Sequence, residues 1–319
     1  MKLGAGLWIF GGAQDRFTSY RKAADFTEQL KMASQVRGLQ GVELQYPRHF
    51  IERSPAAVAT LCREANLQII AIQPDIFRDP IFKYGALCAT DSQARSQAVD
   101  ICCAAAEVAQ QVQAPLLAVW PGQDGFDYPF QVDYVAAWEH CVASLAAIAD
   151  RAQGVKVAIE YKLKEPRQKS LLGSAAQTFA AVRETGRTNL GVLLDFGHSL
   201  MAKESPAQVA TMLLRAGKLF HIHLNDCYGE TDDDLMVGAV HTHETVELFH
   251  YLTRMRYEGW MSLDTVAFRE DPLAAAQASW RALGVLMDRA KALDPDRLSN
   301  IQMENDAAKA VNLMTDMLA

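Results

Sequence analysis

Short apolar runs alternate along the chain with longer stretches whose apolar positions recur every three or four residues, which is the βαβ pattern. The runs Leu3–Phe10, Gly41–Tyr46, Gln68–Gln73, Leu116–Trp120, Lys156–Tyr161, Leu190–Asp195, Leu219–Leu224 and Trp260–Asp264 predict strands. Between and after them, helical spacing predicts helices over Thr27–Arg37, Ser54–Ala65, Asp91–Gln111, Asp133–Arg151, Ala175–Glu184, Pro206–Ala216, Thr245–Arg254 and Pro272–Ala292. Ser54-Pro55, Ser205-Pro206 and Asp271-Pro272 supply capping types and prolines at helix starts, and Gly38, Gly186 and Gly217 sit where helices should stop. Eight strands, each followed by a helix, predict an α/β fold, a (β/α)8 TIM barrel over residues 1–293. A doubly wound sheet would leave a strand or two unplaced. Residues 294–319 form a tail in which Ala307, Ala310, Val311, Met314 and Met317/Leu318 share one helical face. That face predicts docking, either on the chain's own barrel or on a neighbouring subunit.

In such barrels the chemistry sits at the C-terminal ends of the strands. The fifth strand ends Glu160-Tyr161-Lys162, the sixth Asp195-Phe196-Gly197-His198, the seventh His223-Leu224-Asn225-Asp226 and the eighth Asp264-Thr265. Any one of these residues alone reads as a cap or an ion-pair partner. Together they bring Glu160, Asp195, His223 and Asp264 to one rim, and three clustered carboxylates need a counter-charge. Carboxylates with one imidazole suit Mn²⁺, Mg²⁺ or Co²⁺. The loop after strand seven reads Tyr228-Gly229-Glu230-Thr231-Asp232-Asp233-Asp234-Leu235. An Asp-Asp-Asp run is ordinarily a solvated loop. Here it overhangs the same rim as His198, so Asp195 is placed to bridge two ions, the second held by His198 and two of the aspartates.

The 319 residues are 50% apolar and 22% charged, with formal net charge −7. That composition excludes disordered and fibrous classes and makes nucleic acid an improbable partner. No window is apolar enough to span a membrane, and the first residues do not read as a signal peptide. The six cysteines include no CxxC pair, which fits a reduced, cytoplasmic setting.

Glu160-x-Lys162, Asp195-x-x-His198, His223-x-Asn225-Asp226, the Tyr228-Gly229 to Asp-Asp-Asp-Leu loop and Asp264 resemble the xylose isomerase-like TIM-barrel superfamily. The similarity is strongest over residues 155–272 and greatest to the bacterial L-rhamnose isomerase branch. This resemblance implies a metal-dependent aldose–ketose isomerase acting on a small unphosphorylated sugar by a metal-assisted hydride shift. It implies that Glu160, Asp195, His223 and Asp264 hold one ion, most plausibly Mn²⁺, and that Asp195, His198, Asp232 and Asp234 hold a catalytic one. Lys162 resembles the lysine that hydrogen-bonds the sugar C1 oxygen. Homodimers or homotetramers are expected by the same resemblance. The aspartate loop is one residue longer than in the resembling branch, so Asp233 competes with Asp232 or Asp234.

Single-metal 3-epimerases, sugar-acid dehydratases and lyase subunits for oxidised glycosides are the rival reading, but they usually end strand eight in Glu rather than Asp264. Trp8, Phe10 and Trp120 close strands one and four, where they either stack on a sugar or pack in the core. Gln45 and Gln73 close strands two and three and are candidates for hydroxyl recognition. Arg167 either reaches a substrate oxyanion or pairs with Glu165. Leu117–Phe130 reads as a covering loop. His221 reads as a core histidine, His241 and His243 as loop or capping residues, and His49, after Arg48, as a surface residue or the ring-opening histidine of some relatives.

Overall fold

A computed structural model describes residues 1–318 of the chain; of Leu318 only the backbone is described, so its place on the predicted tail face lies outside the described residues. Eight parallel strands close a barrel: β1 (Lys2–Gly6), β2 (Gly41–Tyr46), β3 (Gln68–Pro74), β4 (Leu116–Val119), β5 (Lys156–Glu160), β6 (Leu190–Asp195), β7 (Leu219–Leu224) and β8 (Trp260–Leu263). Each strand pairs with its sequence neighbours, and β8 returns to β1 with Leu3 beside Met261. Helices cover the outside: α1 (Phe26–Gln35), α2 (Pro55–Glu64), α3 (Ser92–Gln111), α4 (Tyr134–Arg151), α5 (Ala175–Thr185), α6 (Phe196–Met201), α7 (Pro206–Arg215), α8 (Thr242–Arg254) and α9 (Pro272–Lys291). The tail is α10 (Pro295–Glu304) and α11 (Ala307–Leu318).

Local chemistry sets these boundaries. Ser54, Ser205 and Asp271 accept backbone N–H bonds at the starts of α2, α7 and α9, each followed by Pro in the first turn. Asp25 and Glu28 form a reciprocal capping box on α1. Gly186 ends α5 at φ 68°, a left-handed position that a side chain would strain. The first strand stops at Gly6 rather than Phe10, because Leu7–Phe10 turns back as a 3-10 helix and buries Leu7, Ile9 and Phe10. Phe10 therefore belongs to the core and is no part of a sugar-facing wall. Helix α8 begins at Thr242, earlier than its periodicity predicts, and His241 precedes it without capping it.

The tail packs against its own barrel. Met317 packs against the main core, Ile301 is buried, and Gln302 donates to the Tyr251 hydroxyl of α8 at 3.3 Å. A cavity of about 340 Å³ remains between α8 and the tail, lined by Tyr251, Leu298 and Met314 among others.

Two buried polar residues organise the loops that rise from the barrel. Asp124 accepts from the backbone N–H groups of Ala86, Leu87 and Cys88 at 2.5, 3.0 and 3.2 Å, tying the loop after β4 to the segment before α3. The adjacent Gly125 pairs with Ser170, so close that a Cβ would meet the Lys169 carbonyl. The predicted covering loop is thus pinned at its centre. His49 is not a surface residue: it is 3% exposed, and its Nδ1 accepts from the Gln45 N–H at 2.9 Å at the end of β2. Nδ1 is therefore the unprotonated nitrogen.

Asp124→Ala leaves three buried N–H groups without an acceptor and should lower the unfolding free energy by about 3 kcal/mol, measured by urea denaturation. Burial, reinforced by Arg48, Arg78 and Arg53, lowers the pKa of His49 to about 3. The unfolded chain then binds a proton here between about pH 6.5 and 3 that the folded chain does not, so stability falls as pH falls through that window. The loss at pH 5 amounts to about 2 kcal/mol. His49→Gln should flatten that part of the stability–pH curve; an unchanged slope would contradict the assignment.

Candidate active site

β5, β6, β7 and the end of β8 deliver the predicted strand-end residues to one place. Glu160, Asp195, His223 and Asp264 each offer one ligand atom, and these atoms lie within 4.8 Å of one another. Glu160 Oε1 lies 3.3 Å and Asp264 Oδ2 3.1 Å from His223 Nδ1. Asp195 is fully buried; its Oδ1 accepts from the His198 N–H at 2.8 Å and its Oδ2 from Asn225 Nδ2 at 2.8 Å. Asn225 in turn accepts from the Gly197 N–H, which fixes the turn from β6 into α6. Trp8 reaches over from the first turn, and its Nε1–H donates to Asp264 Oδ1 at 2.7 Å. Its ring also meets the His223 ring edge-on.

Beside this set lies a second network. Asp232 Oδ2 accepts from Lys162 Nζ at 2.8 Å and from His198 Nε2 at 3.1 Å, while its Oδ1 is buried without a partner. His198 Nδ1 points the other way, 3.4 Å from Glu160 and 3.8 Å from Asp195, also without a hydrogen bond. The imidazole thus links the strand-end set to the aspartate loop. Lys162 also donates to Glu165 at 2.5 Å and sits 5.1 Å from the centre of the Trp120 ring, which Phe77 meets edge-on. Asp233 spends both carboxylate oxygens inside its own loop, on the Tyr228 N–H and the Thr231 hydroxyl, leaving Asp232 and Asp234 for the site. Asp234 sits at φ 49°, and its carbonyl accepts from the Val266 N–H, joining the loop to the strand-eight end. Asp226 anchors the loop's base through the N–H groups of Val240 and His241 and through His241 Nδ1.

The electrostatics are those of an excess of negative charge. Burial, with Glu160 and Asp232 adding like charge against the relief from His198, pushes Asp195 up to about 7. Burial, followed by Asp232 and Asp264, raises Asp234 well above the carboxylate range. Burial disfavours charge on His198, yet Asp195 and Asp232 lift it to about 9. Lys162 follows the same logic: Asp232 and Glu165 outweigh its desolvation and hold the ammonium charged. A divalent cation among these carboxylates would relieve the same repulsion, and the donor set, carboxylate oxygens with imidazole nitrogen, fits one.

Other predicted residues fall differently. Gln45 and Gln73 are buried and bonded to each other at 3.2 Å, with Gln45 Oε1 left free. Arg167 is exposed and faces Asp127 at 3.6 Å, while Glu165 is taken by Lys162. His221 is a core histidine as read, but it has a partner that the strand pattern hid. Glu43 on β2 is fully buried, and its carboxylate lies 2.7 Å from His221 Nε2 and 3.3 Å from His223 Nε2. The available signal was a lone acid flanked by Val42 and Leu44 inside a largely buried six-residue strand.

Residues 30–283 match the model of the xylose isomerase-like TIM barrel family. Xylose isomerase from Thermus thermophilus is 28% identical over 243 residues, which are 73% of this chain and 63% of that enzyme. The chain therefore spans less than two thirds of the length of that relative. Among solved structures, a D-tagatose 3-epimerase-like protein superposes with TM-score 0.70 at 18% identity, covering 91% of this chain and 99% of the other. The IOLI protein with a bound zinc atom superposes with TM-score 0.69 at 14% identity, covering 92% and 100%. At these identities the superpositions speak for the barrel alone, whereas the family model covers most of the sequence: the chain belongs to the xylose isomerase-like TIM barrel family.

Proposed function

We propose that the chain is a metal-dependent sugar isomerase that interconverts a small unphosphorylated aldose and its ketose. The observation that carries the reading is the convergence of Glu160, Asp195, His223 and Asp264, with the Lys162 ammonium held on the same rim by Asp232 and Glu165. Glu160, Asp195, His223 and Asp264 would hold one divalent cation, Mn²⁺ before Mg²⁺ or Co²⁺, and Asp195, His198, Asp232 and Asp234 a second. The unpartnered Asp232 Oδ1 and His198 Nδ1 favour that second site. When bound, the cations grip sugar oxygens and polarise the C1 carbonyl.

The chain's own residues supply the rest. Isomerisation moves one hydrogen from C2 to C1 and one proton from O2 to O1. Lys162, kept charged in a buried setting, is placed to donate a hydrogen bond to O1 as negative charge develops there. Trp120, stacked under the Lys162 ammonium, offers an apolar face to the sugar, and Trp8 holds Asp264 in place. The similarity to a xylose isomerase over 73% of the chain supports the aldose–ketose class.

One observation favours the single-metal epimerase reading: Asp232 Oδ2 is already engaged by Lys162 and His198, so the second set is less open than the first. Against it, Asp264 is shorter than a Glu, its Oδ1 accepts from Trp8 and its Oδ2 lies in the candidate metal set, so strand eight offers no carboxylate of Glu length to reach a sugar carbon as base.

The test is a panel of unphosphorylated aldoses and ketoses in D₂O with Mn²⁺-loaded protein, read by NMR. Aldose–ketose interconversion without deuterium at C1 or C2 is expected, abolished by chelator and restored by Mn²⁺. C3 epimers carrying solvent deuterium would replace this reading with the epimerase one. Lys162→Met should lower kcat by about 10²–10³-fold while leaving Mn²⁺ bound, the scale for losing one transition-state donor.

A further inference from the structure

We infer that Glu43 is a positioning residue that fixes which nitrogen of His223 faces the metal, an inference that rests on the metal-dependent reading above. His223 is fully buried and its two nitrogens face opposite ways. Nδ1 faces Glu160 and Asp264 at the rim, and Nε2 faces Glu43 Oε2 at 3.3 Å. A carboxylate accepts and does not donate, so Nε2 must carry the proton. In the neutral ring the only lone pair is then on Nδ1, which is the nitrogen directed at the other three candidate ligands.

Glu43 is itself held. Its second oxygen accepts from His221 Nε2 at 2.7 Å, and Ser262 Oγ stands 3.3 Å from that same nitrogen. Glu43 is fully buried, and both of its carboxylate oxygens face imidazole nitrogens. The barrel interior thus holds a buried carboxylate directly behind the His223 imidazole. It orients the ring, makes Nδ1 a better donor and adds negative charge behind the cation site. Glu43, His221 and His223 also meet the spacing for an ion of their own. That alternative requires Nε2 of His223 to be a ligand and so makes the opposite prediction about its proton.

The experiment is ¹⁵N-histidine NMR on Zn²⁺-loaded wild-type protein, with His223 assigned by comparison with His223→Gln, together with Mn²⁺ titration of wild type and Glu43→Gln by calorimetry. The inference predicts a metal-bound Nδ1 and a protonated Nε2 on His223. It also predicts Mn²⁺ affinity about 10–100-fold weaker in Glu43→Gln, the cost of removing such a partner, with far-UV circular dichroism unchanged. Ligation through Nε2, or equal Mn²⁺ affinity in the two proteins, would overturn it. The wild-type spectrum decides the question even if Glu43→Gln does not fold. If wild type binds no divalent ion, the functional reading fails by itself. The role of Glu43 is then judged on the ion-free protein by a strongly hydrogen-bonded Nε2 proton on His223, present in wild type and lost in the variant; its absence from wild type would overturn that role.

Discussion

Charge compensation at the C-terminal mouth of the barrel is the constraint from which the rest of the site follows. Glu160, Asp195, Asp232, Asp234 and Asp264 crowd into one region, and Asp195 and Asp234 are driven toward their neutral forms by burial first and then by neighbouring carboxylates, Glu160 and Asp232 on Asp195 and Asp232 and Asp264 on Asp234. The chain supplies some positive charge of its own through Lys162 and His198, both of which settle on Asp232. The strand-end set receives only part of that relief, from His198 beside Glu160 and Asp195. Its own imidazole, His223, is shared among Glu160, Asp264 and Glu43. A barrel would not gather acids in this way for stability alone, since buried like charges cost several kcal/mol unless neutralised. A divalent cation would resolve the imbalance.

The scaffold is built to withstand that repulsion. Three of the five acids are fixed by a group from another element: Asp264 by Trp8 from the first turn, Asp195 by Asn225 from the strand-seven end, Asp232 by Lys162 from the strand-five end. The aspartate loop is tied at its base by Asp226 and within itself by Asp233. Pre-organisation of this kind keeps the carboxylates from relaxing apart and would leave them placed for a cation.

Much of this was legible because a closed barrel converts sequence position into spatial position. Once the strands are recognised by their apolar runs, the polar residue that ends each one must sit on a common rim, and Glu160, Asp195, His223 and Asp264 do. The capping residues Ser54, Ser205 and Asp271 were equally readable, since their side chains bond within three residues. Contacts across the barrel interior were not. Glu43 and His221 are 178 residues apart, and nothing local signals that they meet. His49 was misjudged because its neighbour Arg48 suggests solvent, whereas the turn after β2 folds the imidazole back onto the strand. The end of strand one was overrun because Leu7–Phe10 is as apolar as a strand but is wound as a 3-10 turn.

The central claim is that the acid-rich rim is a metal centre, and anomalous diffraction from crystals grown with Mn²⁺ tests it most directly. The account predicts a strong peak within bonding distance of Glu160, Asp195, His223 and Asp264, and a second beside His198 and the 232–234 loop. Crystals that hold no ion among the four strand-end residues, at Mn²⁺ concentrations well above those that support binding elsewhere, would contradict it.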